Sequence, residues 1–180
     1  ETADMLSKAH QQVILPDLHA GCSMADMANR MDIDAAWTFL TGATDEKIVP
    51  VTYINCDAKL KAFVGRNGGS ICTSSNANKV VESLNSDVVI FLPDEYLAAN
   101  VARDTGKRIV FPTLKPVSQA RRGAAGENGM TYEMIGWHGR CEVHEKFTVE
   151  DIRAVRAQFP DVVVLAHPEC SPEVVEASDF

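Results

Sequence analysis

Short continuous runs of β-branched and aliphatic residues alternate along this chain with stretches of helical spacing, and that alternation restricts the fold more than any other property. Val13-Ile14-Leu15, Val49 to Ile54, Val88 to Leu92, Ile109-Val110-Phe111 and Val162 to Ala166 are strand-sized and bounded by Pro, Asn or Asp. Between them Met24 to Leu40, Ala58 to Val64, Ala77 to Leu84, Tyr96 to Thr105 and Val149 to Phe159 carry the helical period. Apolar strands without polar alternation are buried on both faces, so the pattern predicts parallel sheet covered by helices, an α/β fold. The caps agree. Thr148-Val149-Glu150-Asp151 opens a helix with a Thr cap and early carboxylates, and Ser171-Pro172-Glu173 puts Pro at a first helical position.

Two stretches have the same order of parts. In the first, strand Val13 to Leu15 is followed by Cys22 in a loop, a helix, Pro50, strand Val51 to Ile54, Asn55, Cys56 and a helix. In the second, strand Ile109 to Phe111 is followed by a long loop, Cys141, helix Val149 to Phe159, Pro160, strand Val162 to Ala166, His167, Glu169, Cys170 and a helix. A duplicated unit around a shared site produces this order, and so does ordinary βαβ repetition. In either case polar residues fall at carboxyl ends of strands, where open α/β sheets bind ligands. Pro112 to Glu133, with three Gly and the Arg121-Arg122 pair, is longer than the usual βα connection; it reads as a solvated insertion or as a lid that gathers an anion.

The charge balance excludes some partners. Lys and Arg number 17 against 25 Asp and Glu, a net charge of −8, which repels nucleic-acid phosphate and anionic membrane at long range. No apolar run approaches the roughly 20 residues that span a bilayer. The first residues, Glu1-Thr2-Ala3-Asp4-Met5, lack an initiator Met and a secretory pattern, and the chain stops where a βα connection would enter its next strand, so it reads as an internal fragment.

The 5 cysteines have no CxxC spacing and are odd in number, which suggests neither a zinc ribbon nor a complete disulfide framework and points to a reducing compartment. Cys72, in Ser70-Ile71-Cys72, reads as a small packed hydrophobe. Cys22 and Cys141 lie in Gly-containing loops, Ala20-Gly21-Cys22-Ser23 and His138-Gly139-Arg140-Cys141, where a thiolate is open to a bulky group such as an iron–sulfur cluster. Tyr53 with Asn55, and His167 with Glu169, are each two apart at a strand end and so share a face. They serve a crevice or merely form turns. Thr73-Ser74-Ser75-Asn76 precedes a helix and suits a phosphate or carboxylate as well as it suits N-capping. His144 is placed to donate to a substrate or to cap the next helix.

Five segments in order, Pro16-Asp17-Leu18-His19-Ala20-Gly21-Cys22-Ser23-Met24-Ala25, Tyr53-Ile54-Asn55, Ile71-Cys72-Thr73-Ser74-Ser75-Asn76-Ala77, Trp137-His138-Gly139-Arg140-Cys141-Glu142-Val143-His144 and His167-Pro168-Glu169-Cys170, together resemble the quinolinate synthase family of de novo NAD biosynthesis over nearly the whole chain. The resemblance implies pseudo-repeated αβα units with short parallel sheets: residues 1–23 end the first unit, 24–142 form the central unit with the insertion at 112–133, and 143–180 begin the third. It implies a cytoplasmic enzyme that condenses iminoaspartate with dihydroxyacetone phosphate, losing phosphate and water, without nucleic-acid or membrane partners and coupled functionally to an aspartate-oxidising enzyme. It implies a 4Fe-4S cluster with Cys22 and Cys141 as ligands and a third cysteine outside this chain. Tyr53, Asn55, Ser74, His144, His167 and Glu169 then contact substrate, with Tyr53, Glu169 and His144 catalytic, and Cys56 and Cys170 incidental. With two of three ligands, the isolated chain is expected to make no quinolinate and to bind iron weakly. The competing expectations are a metal-free α/β module for small phosphorylated or dicarboxylic ligands, and a structural domain with every cysteine buried.

Overall fold

The computed structural model describes residues 2–17, 19–112 and 132–180. A five-stranded parallel sheet, in the order β2-β1-β3-β5-β4, is built from β1 (Ile48–Tyr53), β2 (Ser70–Cys72), β3 (Val88–Leu92), β4 (Ile109–Val110) and β5 (Met134–Gly136). β1 and β3 are buried along their whole length, as their unbroken apolar composition requires. Helices α1 (Thr2–Leu6), α2 (Ser23–Asp26) and α3 (Arg30–Ala43) precede the sheet, α4 (Ala58–Arg66), α5 (Ala77–Ser83) and α6 (Glu95–Thr105) connect its strands, and α7 (Val149–Gln158) and α8 (Pro172–Ala177) follow it.

Alternate residues of the strands face opposite layers. Val51, Tyr53, Val89, Phe91 and Met134 pack with α5 and α6 through Val81, Leu97 and Val101. Ile48, Val88, Ile90, Leu92 and Ile135 pack with α3 and α4 through Ile33, Leu60, Phe63 and Val64. The α/β architecture with helices on both faces is therefore present. Two of the connecting helices, α4 and α6, start where an aspartate accepts an orphan amide: Asp57 from Leu60 and Asp94 from Leu97. Thr148 and Asp151 form a reciprocal capping box at α7.

Several expectations are corrected. Val13-Ile14-Leu15 is not a strand; these side chains are exposed and no strand lies beside them among the described residues. The run Val162 to Ala166 is extended but joins no sheet strand among the described residues. Its backbone bonds go to Asp179 and Phe180, and Val163 and Leu165 are exposed while Val164 and Ala166 pack on a small cluster around Ile152, Cys170 and Val174. An extended apolar run forms a ladder only where another strand lies alongside, and among the described residues what lies alongside is Asp179-Phe180, just past α8. The helix expected over Met24 to Leu40 is split, because the Asn29 side chain accepts from Asp32 N and starts a new helix at Arg30. β5, not foreseen, intervenes between β4 and Cys141. Most of the insertion, including the Arg121-Arg122 pair, lies outside the described residues.

Candidate functional site

All strands point the same way, so the loops that leave their carboxyl ends share one edge, and each sequence-predicted site residue on a strand lies there. Tyr53 ends β1 opposite Cys72, which ends β2. Ser74 follows in the turn before α5, where Asn76 accepts from Thr73 N at 2.7 Å. Asp94 follows β3, and the loop Trp137 to Cys141 follows β5.

The Cys141 loop is held from several sides. Gly139 N donates to Pro93 O at 3.0 Å and Glu95 N donates to Gly139 O at 2.7 Å, a parallel bridge that extends the β3 to β5 register past the strand ends. Only glycine permits this approach, since a Cβ at Gly139 would lie 2.3 Å from Pro93 O. Arg140 reaches both Glu95 oxygens at 3.2 Å and lies 5.0 Å over the Tyr96 ring. Trp137 Nε1 donates to Met27 O at 2.9 Å, which ties the loop to the segment that follows Cys22. As a result Cys22, the residue before α2, and Cys141 are both half-buried and pack against the same core cluster. All five thiols are free, and Cys56, Cys72 and Cys170 are buried.

Behind Cys141 a short 3₁₀ turn (His144–Lys146) turns the His144 ring onto His167, with parallel planes and centroids 4.6 Å apart. His144 Nδ1 lies 3.1 Å from Glu169 Oε2, close but out of line for a hydrogen bond. Ligand atoms of Cys141, His144 and Glu169 all fall within 4.8 Å of one another, a spacing that suits a metal ion. Glu169 N donates to His167 Nδ1 at 3.2 Å, so that nitrogen is the ring's acceptor and Nε2 is its donor. Glu169 is only 4% exposed, and its Oε1 has no partner among the described residues. Such an atom is costly to leave unmade in a purely structural setting.

Electrostatics distinguish the members. Burial, together with the nearby Glu169 carboxylate, pushes the Tyr53 phenol up to about 12, against the Ser74 hydroxyl that bonds it. Tyr53 is thus a donor at neutral pH and not a base. Burial holds His144 below its usual range; Glu169 opposes this and His167 adds to it. Burial pushes Asp94 up to about 7, opposed by the Leu97 amide and reinforced by Glu169. Cys72 is raised to about 12 by burial, which keeps that thiol inert.

Tyr53, Ser74, His144, His167, Glu169 and Cys141 therefore meet in one cluster. Asn55, two residues past Tyr53, is exposed and lines with Cys22 an open cleft of about 870 Å³, whose walls also include Arg30 and Lys61. Sequence reasoning missed Asp94 and Asn100. The first has a local signal, an aspartate directly before an apolar helix; the second is a buried polar residue in a helix, which only its contacts reveal.

Residues 1–180 match the family described as Quinolinate synthetase A protein. The chain is 47% identical over 183 residues to a quinolinate synthase of Bacillus pumilus, covering 100% of this chain and 49% of that protein. For the quinolinate synthase of Bacillus subtilis the figures are 44% over 182 residues, 99% and 49%. For that of Haloarcula marismortui they are 43% over 182 residues, 99% and 48%. The chain spans about half the length of the curated relatives it matches.

Proposed function

This chain belongs to the quinolinate synthetase A protein family, and from that premise we propose that it supplies half of the active site of a cytoplasmic quinolinate synthase, which condenses iminoaspartate with dihydroxyacetone phosphate and loses phosphate and water. The observation that carries the reading is the meeting of Tyr53, Ser74, His144, His167 and Glu169 beside Cys141, drawn from loops far apart in sequence. Iminoaspartate is short-lived in water, so an aspartate-oxidising enzyme is its natural source.

A metal cofactor fits this edge. Two free, half-buried thiols on one core cluster are donors of the kind that hold iron–sulfur clusters, and we assign Cys22 and Cys141 to a 4Fe-4S cluster whose third cysteine lies outside these 180 residues. When bound, the cluster supplies a Lewis-acidic iron that polarises substrate oxygen or nitrogen.

The remaining work falls to the chain's own side chains. Tyr53, kept protonated, donates to a developing oxyanion or to a leaving hydroxyl. Glu169, next to both Tyr53 and His144, carries the proton that the condensation removes and returns it in a dehydration. His144, held neutral by burial, is a second acceptor. Ser74 and Asn55 hold the substrate's polar groups, and His167 donates to it through Nε2.

The test is the full-length protein that contains this chain, reconstituted anaerobically and supplied with both substrates. Quinolinate that appears only when both are present supports the reading. A cluster-loaded protein that consumes neither contradicts it.

A further inference from the structure

We propose, building on the function above, that Asn100 is a positioning residue that clamps the turn carrying His167 and Glu169 to helix α6. Asn100 lies in the middle of α6 and is 2% exposed, between core residues Leu97 and Val101. Its Nδ2 donates to Pro168 O at 2.9 Å and to Cys170 O at 3.1 Å, the carbonyls of the two residues on either side of Glu169. The turn is otherwise closed on itself, by Cys170 N to His167 O at 2.9 Å and Glu169 N to His167 Nδ1 at 3.2 Å. The extended run before it joins no sheet strand among the described residues. The helix that follows, α8, packs on α6 and is tied to it by Arg103 and Glu176 at 3.7 Å, while within the turn itself the Asn100 amide fixes the backbone on both sides of Glu169 to α6.

The amide's orientation follows from its partners, since the reverse flip would face Oδ1 to two carbonyl oxygens. Its own Oδ1 is buried and unpartnered among the described residues. A buried acceptor left unmade is costly, and a leucine of similar size would not incur that cost. Packing alone therefore does not account for an asparagine here, whereas two donated bonds to the catalytic turn do.

The test is Asn100→Leu in the full-length protein, with N100D, which replaces the donor by an acceptor, as the second variant should N100L not fold. Cluster absorbance per chain should be unchanged, kcat should fall by roughly 10–100-fold, as for other partners that orient ligating or reacting groups, and KM should change little. Asn100→Gln, which keeps the donor on a longer stem, should recover part of kcat. In the cluster-free protein, the ring-current shifts of the stacked His144 and His167 in proton–carbon NMR spectra should be lost in N100L. A folded N100L with turnover within about twofold and unchanged ring signals overturns the proposal. If the natural protein makes no quinolinate, the proposed function fails, and the ring signals alone decide the role of Asn100.

Discussion

Replacing Gly139 by alanine should uncouple the Cys141 loop from the sheet. The new Cβ would lie 2.3 Å from Pro93 O and 3.1 Å from Pro93 C, whereas ordinary contact begins near 3.4 Å, so the loop must retreat by about 1 Å. That retreat breaks the 3.0 Å bond from Gly139 N to Pro93 O and the 2.7 Å bond from Glu95 N to Gly139 O. At roughly 0.5–1.5 kcal/mol net for each hydrogen bond, the cost is about 1–3 kcal/mol. Gly65, in the last turn of α4, is the control: its Cβ would meet nothing within 4 Å, and Gly65→Ala should stabilise by roughly 0.5–1 kcal/mol through helix propensity. Urea unfolding of the full-length protein measures both, as shifts in midpoint at constant slope. G139A should also hold less iron, because Cys141 is only two residues beyond the displaced backbone. Equal midpoints and equal iron for G139A and the natural protein would refute the reasoning, as would a G65A variant destabilised as much as G139A.

Glu169→Gln should leave the cluster spectrum intact and lower turnover by roughly 10²–10⁴-fold, the usual loss for a general acid or base; near-normal turnover would remove Glu169 from the mechanism. In the native cluster-free protein, a thiol reagent should react quickly with Cys22 and Cys141 and slowly with Cys56, Cys72 and Cys170, which are 1%, 1% and 3% exposed; fast labelling of Cys56, Cys72 or Cys170, mapped by peptide mass, would contradict the burial pattern. Absorbance at the phenolate band should show Tyr53 ionising near 12 and not at 10, and Tyr53→Phe should delete that late step. The folded pKa is raised, so the contribution of Tyr53 to stability is full below about 10 and is lost as pH rises through about 12.

The sheet was legible where apolar runs were long. Val49 to Ile54 and Val88 to Leu92 needed no partner to be recognised, because burial on both faces leaves an unbroken apolar string. Val13 to Leu15 and Val162 to Ala166 have the same composition but no sheet neighbour among the described residues, and composition does not reveal whether a neighbour is present. Met134-Ile135-Gly136 is too short to stand out beside a Gly-rich stretch, and it is the strand that delivers Cys141. Within the site, Tyr53, Ser74, His144, His167 and Glu169 were nameable because short motifs surround them. Their meeting was not, since it depends on a 3₁₀ turn, a stacked ring pair and a contact from Asn100 that links residues about 70 apart in sequence. Asn55, two residues from Tyr53, lies past the strand end and lines the cleft that also holds Cys22, a neighbourhood that strand-end spacing does not reveal.

The central claim, that one metal cluster sits between Cys22 and Cys141 beside the Glu169 cluster, is tested most directly by iron and sulfide content per chain in the anaerobically reconstituted full-length protein carrying Cys22→Ser or Cys141→Ser. Each substitution alone should abolish stoichiometric four-iron incorporation, while Cys56→Ser and Cys170→Ser should leave it unchanged. Retention of a full cluster by both the Cys22 and the Cys141 variant would contradict the claim.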